Sequence, residues 1–120
     1  MHLTSKNQIV NKYPAICLAQ GHEYRFIYPA EISKIVLADK GTIVSLSCDE
    51  DIKVNKCLKD LEVLLPDDLF VRVHHSSIIN LMYVAKYIQN EDNRIVMRCG
   101  AEVPLSRRKK TEFLSKFTRL

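Results

Sequence analysis

Apolar and polar positions alternate along this chain in short stretches of about five residues, the period of half-buried strands. Residues 15–19 and 24–28 are apolar or aromatic runs separated by Gln20-Gly21-His22-Glu23, which predicts a first hairpin. Pro29-Ala30-Glu31 follows as a short helical turn, since proline fits a first helical position and cannot sit in a central ladder. Residues 35–38 and 42–47 predict a second hairpin around Asp39-Lys40-Gly41, where glycine can take a positive φ and the lysine stands exposed at the tip. A short strand over 52–54 leads to Asn55, a plausible cap for a helix over 56–65. In that helix Leu58, Leu61 and Leu65 recur at spacings of three and four, and Pro66 ends it. Its Lys59, Asp60 and Glu62 read as solvent-facing charges.

The next stretch is the one that the rest is arranged around. Phe70-Val-Arg-Val-His-His-Ser-Ser-Ile-Ile-Asn-Leu81 begins as a strand with Phe70, Arg72 and His74 on one face and Val71, Val73 and His75 on the other. Ser76 and Ser77 can bond nearby backbone, so a turn is expected there before Ile78, Ile79 and Leu81 return to the core. Such a turn lifts nitrogen-rich side chains above an apolar base, although a His-His-Ser-Ser turn taken alone is more often a solvated loop than a site. Asn80, between two apolar residues, is expected to bond backbone and fix the turn beneath His75. His74 shares a face with Phe70 and Arg72, and reads either as a partly buried, structural imidazole or as an exposed one. Strands over 84–88 and 94–98 flank a turn-rich Gln-Asn-Glu-Asp-Asn connector. Cys99-Gly100 then leads to 101–105, and Ser106 can cap a last helix with Phe113, Leu114, Phe117 and Leu120 on one face.

These elements make a mostly β chain with two short helices. Its 120 residues amount to one domain, and a hydrophobic fraction of 47% with 27% charged is ordinary for a globular one. Residues 1–14 read as a polar linker or leader, and 15–120 as the domain. Neither a membrane-spanning run nor a signal peptide is present, so a cytoplasmic location and no membrane partner are expected. The four cysteines are scattered, without a Cys-x-x-Cys pair, so neither a clustered zinc site nor a disulfide framework is expected. No nucleotide-binding glycine motif appears, and adjacent His74 and His75 diverge on a strand and chelate one metal poorly. A Ser76 nucleophile would need an orienting group and an oxyanion site that the sequence lacks, so neither catalysis nor a cofactor is expected.

The net charge of +4 is unevenly placed. Residues 106–120 carry six bases against Glu112, a local excess of +5 that leaves the remainder at −1. Such a field suits a polyanion, either nucleic acid or an anionic membrane surface. A charge run is usually a solvated helical turn, but Arg107, Arg108, Lys109 and Lys110 at a helix N-terminus oppose the dipole, which favours a reason outside the helix for keeping them. The basic, amphipathic last helix also suits a membrane surface, but its apolar face is short and is expected to cover the sheet. Single-stranded nucleic acid is disfavoured by the absence of tryptophan and of an aromatic ladder.

Phe70-Val-Arg-Val-His-His-Ser through Ile79-Asn80-Leu81, followed after a hairpin by Val103-Pro104-Leu105-Ser106-Arg107, resembles the LytTR DNA-binding domain, an output module of bacterial response regulators. The resemblance runs from about Ile16 to the C-terminus. It implies an elongated stack of short antiparallel sheets that presents loops, rather than a recognition helix, to successive grooves of double-stranded DNA. It also implies a transcription regulator acting on promoter direct repeats, as a homodimer on DNA in many members. An upstream receiver domain or sensor kinase pathway is implied if the chain is part of a longer regulator.

Carried over by position, the resemblance makes His75, Arg107 and the loop at Lys40 to Thr42 the contact regions, with Arg108, Lys109 and Lys110 beside them. Arg72, His74, Ser76 and Asn80 take supporting roles. The chain departs from the family at His75, where arginine or asparagine is common, and at Ser77, where an aromatic is usual. Histidine lacks the bidentate fork that arginine offers guanine, so base preference there is expected to differ. The alternative from another class is a protein-protein interaction module whose basic tail is incidental.

Overall fold

Ten short strands and two helices follow one another in the computed structural model, which describes residues 12–47 and 49–120. The leader expected over 1–14 therefore lies almost wholly outside the described residues. Strands β1 (Ile16–Gln20) and β2 (Glu23–Ile27) form the first hairpin, closed by Gly21-His22 with Gly21 at φ +58. A 3-10 turn at Pro29–Glu31 leads into β3 (Ile32–Leu37), which pairs with β4 (Thr42–Leu46), and β4 pairs with β5 (Glu50–Val54). Helix α1 spans Leu58–Leu64. After it come β6 (Phe70–His74) and β7 (Ser77–Asn80). A 3-10 turn at Leu81–Tyr83 precedes β8 (Val84–Ile88), β9 (Arg94–Met97) and β10 (Glu102–Pro104). A 3-10 turn at Arg107–Lys109 runs into helix α2 (Lys110–Ser115).

Three antiparallel sheets result: β1-β2, β5-β4-β3-β7-β6 and β10-β9-β8. The five-stranded sheet lies between two cores, because successive residues of a strand point to opposite faces. On one side Phe70 and Ile78 join Ile35, Val44 and Ile52, covered by Leu58, Leu61 and Leu65 of the α1 region and by Ile27 of the first hairpin. On the other side Val71, Val73 and Ile79 meet Ile95, Met97 and Val103 of the three-stranded sheet, with Phe113 of α2. Phe113 is 1% exposed and meets Tyr87 and Phe117 edge-on, at centroid distances of 6.0 and 5.2 Å. Each such side chain contributes about 1.5–3 kcal/mol by leaving water, so α2 is held by this anchor rather than by its own six residues.

Both helix starts differ from expectation. Cys57, not Asn55, occupies the N-cap of α1, because residues 55 and 56 are used to turn the chain out of β5 before Leu58 can be buried. Ser106 makes no side-chain cap, and its amide donates to the Val73 carbonyl at 2.8 Å, so a 3-10 turn precedes α2. The turn after β6 also shifts by one residue. It consists of His75-Ser76, while Ser77 pairs with Val36 and His74 inside the sheet and is 2% exposed.

Candidate nucleic-acid interface

One end of the central sheet gathers three chain reversals that are distant in sequence. Antiparallel pairing of Lys34 with Ile79 and Val36 with Ser77 sets the end of β3 beside the start of β7. The Leu37 amide then donates to the Ser76 carbonyl at 2.9 Å, tying the β3-β4 reversal to the β6-β7 reversal. In the first of these, Ala38 donates to the Gly41 carbonyl at 3.1 Å and Lys40 stands exposed. Gly41 has φ +79, and a Cβ there would lie 2.2 Å from the Val54 carbonyl oxygen, so only glycine closes this tip against β5.

The second reversal leaves His75 exposed and His74 half-buried. The two rings lie 4.3 Å apart at 36°. The Ser76 amide donates to His74 Nδ1 at 3.2 Å, and Ser76 Oγ lies 2.8 Å from the same nitrogen. Burial, and then the like charge of His75, push the His74 imidazole below its ordinary value. A neutral ring is what an Nδ1 that accepts a hydrogen bond requires. His74 is thus half-buried and bonded to its own turn.

The third reversal is the Arg107–Lys109 turn, docked on β6 by the Ser106 amide. Arg107 and Arg108 are exposed, whereas Lys109 and Lys110 are half-buried, and Lys109 pairs with Glu112 at 3.4 Å. A cavity of about 350 Å³ joins this turn to the second one, lined by Ser106, Arg108 and Lys109 together with His74, His75, Arg72 and Glu62. Lys40, His75 and Arg108 are thus held by one sheet end and its flank.

Two expected residues behave differently. Thr42 is fully buried and its Oγ1 has no partner. Strand alternation puts it with Val44 and Leu46 on the core face, so it cannot reach a ligand. Asn80 does bond backbone, donating through Nδ2 to the Ile32 carbonyl at 2.8 Å and accepting from the Met82 amide at 2.9 Å, but at the far end of β7 from His75. It fixes the exit from the sheet, not the turn. Arg72, expected in a supporting role, is bonded within the protein: Nε donates to the His74 carbonyl at 3.1 Å, Nη2 to the His75 carbonyl at 2.8 Å, and Nη1 to Glu62 at 2.9 Å. Glu62 is exposed, as expected of a solvent-facing charge, but its pairing with Arg72 is what sequence reasoning misses, since helix periodicity says only that it lies off the apolar face.

No group of histidine, cysteine and acidic residues suited to a metal occurs among the described residues, and no helix among them is long and apolar enough to cross a membrane. The structure resembles a solved LytTr DNA-binding domain from Bacillus cereus with a TM-score of 0.73, over 87% of this chain and 96% of that one, at 22% identity. In sequence, 72 residues are 37% identical to the sensory transduction protein LytT of Bacillus subtilis strain 168. That alignment covers 58% of this chain and 30% of LytT, so the chain spans under a third of that relative. The family description "LytTr DNA-binding domain" matches residues 22–118. With nearly the whole described chain inside that match and the same fold seen in a solved member, this protein belongs to the LytTr family of DNA-binding domains.

Proposed function

We propose that this domain regulates transcription by binding double-stranded DNA sequence-specifically, through the three loop tips at Lys40, His75 and Arg107-Arg108. The observation that carries the reading is their convergence: β3-β7 pairing and the Ser106 bond to Val73 bring three polar reversals to one sheet end. Exposed Lys40 and Arg108 suit phosphate contacts, which position a protein without reading sequence. Arg107 suits base readout, because its fork can hold two acceptors of guanine at once. The His75 imidazole offers a single bond to a base edge, a weaker determinant. Repeated promoter sites bound by two copies, and control by a receiver domain or sensor kinase pathway, are the partners this reading implies.

Selection of bound duplexes from a random pool, followed by titration against excess nonspecific competitor, tests the proposal. A recovered consensus is expected, and binding without any preference would overturn sequence specificity. Arg107→Ala should cost about 1 to 3 kcal/mol and blur one position of that consensus.

An interaction module is the second reading, and the first hairpin favours it, since Tyr24 and Phe26 are 71% and 66% exposed on one face of β2. Salt separates the two: DNA binding weakens steeply as ionic strength rises, while an apolar contact hardly responds.

A further inference from the structure

Arg72 sits in the cavity with Arg108 and Lys109, where a cationic side chain is naturally taken for one more phosphate ligand. Its bonding says otherwise. Three of its N–H groups are spent within the protein, two on the consecutive carbonyls of His74 and His75 and one on the Glu62 carboxylate of α1, and the side chain is only 22% exposed. The register of β6 against β7 shifts between Arg72 and His74, so the ladder is irregular where the arginine takes hold. The next carbonyl, that of Ser76, is held from the other side by the Leu37 amide. All three carbonyls from His74 to Ser76 are therefore fixed, while the Ser76 amide is held by His74 Nδ1. The exposed His75 imidazole lies against the His74 ring at 4.3 Å and makes no side-chain hydrogen bond among the described residues.

We propose that Arg72 is a positioning residue that sets where the His75 imidazole stands, and that Glu62 on α1 orients it for that task. The planar fork is essential, because two carbonyls and a carboxylate in different directions need donors in a fixed array. A lysine carries the same charge on a single point and reaches one of them at a time. A phosphate ligand would behave in the opposite way, since there the charge matters more than the fork. This inference rests on the DNA-binding reading for its consequence, but the way the turn is held is a property of the free protein.

The test uses the full chain and a duplex recovered by selection, with Arg72→Lys, Arg72→Ala, His75→Ala and the double variant Arg72→Lys/His75→Ala. Arg72→Lys should weaken binding to the selected duplex about tenfold while the slope of affinity against salt stays as in the unaltered protein. The double variant should bind no more weakly than the weaker single one, because one residue acts through the other. Combination of Arg72→Lys with Arg107→Ala should instead give additive losses, and preference at the position read by Arg107 should survive in Arg72→Lys, which a general loss of folding would not allow. In the free protein, exchange of the Ser76 amide with deuterium should quicken in Arg72→Lys.

The proposal is overturned if Arg72→Lys binds normally while Arg72→Ala flattens the salt slope by about 0.9, the signature of one lost phosphate contact. Full additivity of Arg72→Lys with His75→Ala overturns it as well. Should His75→Ala leave binding untouched, the assignment of His75 to DNA falls, and the Ser76 exchange rate alone then decides whether Arg72 holds the turn.

Discussion

Replacing Lys40 by alanine tests whether separate reversals of the chain touch one duplex together. Lys40 is exposed at the β3-β4 tip, forms no ion pair among the described residues, and is distant in sequence from the cluster at 107–110. Counting Lys40, Arg108 and the half-buried Lys110 as phosphate neighbours, and leaving out Arg107 for its base readout and Lys109 for its bond to Glu112, gives about three contacts and a slope of log affinity on log salt near −2.7. Between about 50 and about 200 mM salt the unaltered domain should then lose roughly 40-fold in affinity. Without Lys40 the slope should ease to about −1.8, and the same change of salt should cost roughly 12-fold. Fluorescence anisotropy of a labelled duplex across that range measures both slopes. Weakening should be equal on selected and scrambled duplexes, because a phosphate contact carries no sequence information. An unchanged slope would mean that the β3-β4 tip stays off the DNA and that convergence of the reversals has no part in binding.

Three further outcomes follow from the side chains around the tips. Thr42→Val, which removes a buried hydroxyl without a partner, should leave DNA affinity unchanged and raise the urea midpoint by a gain of up to about 1–2 kcal/mol; a loss of binding would restore Thr42 to the interface. Asn80→Ala strands the buried Ile32 carbonyl and should cost about 1–3 kcal/mol in urea unfolding, so an unaltered midpoint would contradict the role given to its two bonds. His74 is held below the imidazole value of 6.5, by burial first and by His75 second, so the unfolded chain takes up that proton before the folded one does. Stability from this group is complete above about pH 6.5 and is lost as pH falls from there towards the lower folded value, and His74→Gln should flatten that decline in unfolding curves.

How much of this was legible beforehand varies with the range of the forces involved. Strand β6, the Pro29 turn and the glycine at position 41 follow from local rules: alternation, a fixed φ and a positive φ. Local rules put Ser77 in the turn, because a serine looks like a turn residue from its neighbours alone. Its place in the ladder is set by Val36, some forty residues earlier. The expectation for Thr42 fails in a similar way, since a position at the edge of a loop does not reveal which face of β4 it takes. The bonds of Arg72 to two carbonyls and to Glu62 were out of reach, as they need both the irregular register of β6 and the placement of α1 over the sheet. What the motif pair did convey, through the resemblance, was that the His75 and Arg107 reversals belong together, and the Ser106 bond to Val73 is the local cause.

Strands β6 and β7 give Phe70 and Ile78 to one interior and Val71, Val73 and Ile79 to the other, so they work as a party wall between two rooms. Loosening those two strands exposes apolar side chains of both interiors. The hinge of the whole arrangement is therefore the short ladder that ends at His75, and whatever grips that end steadies both interiors at once.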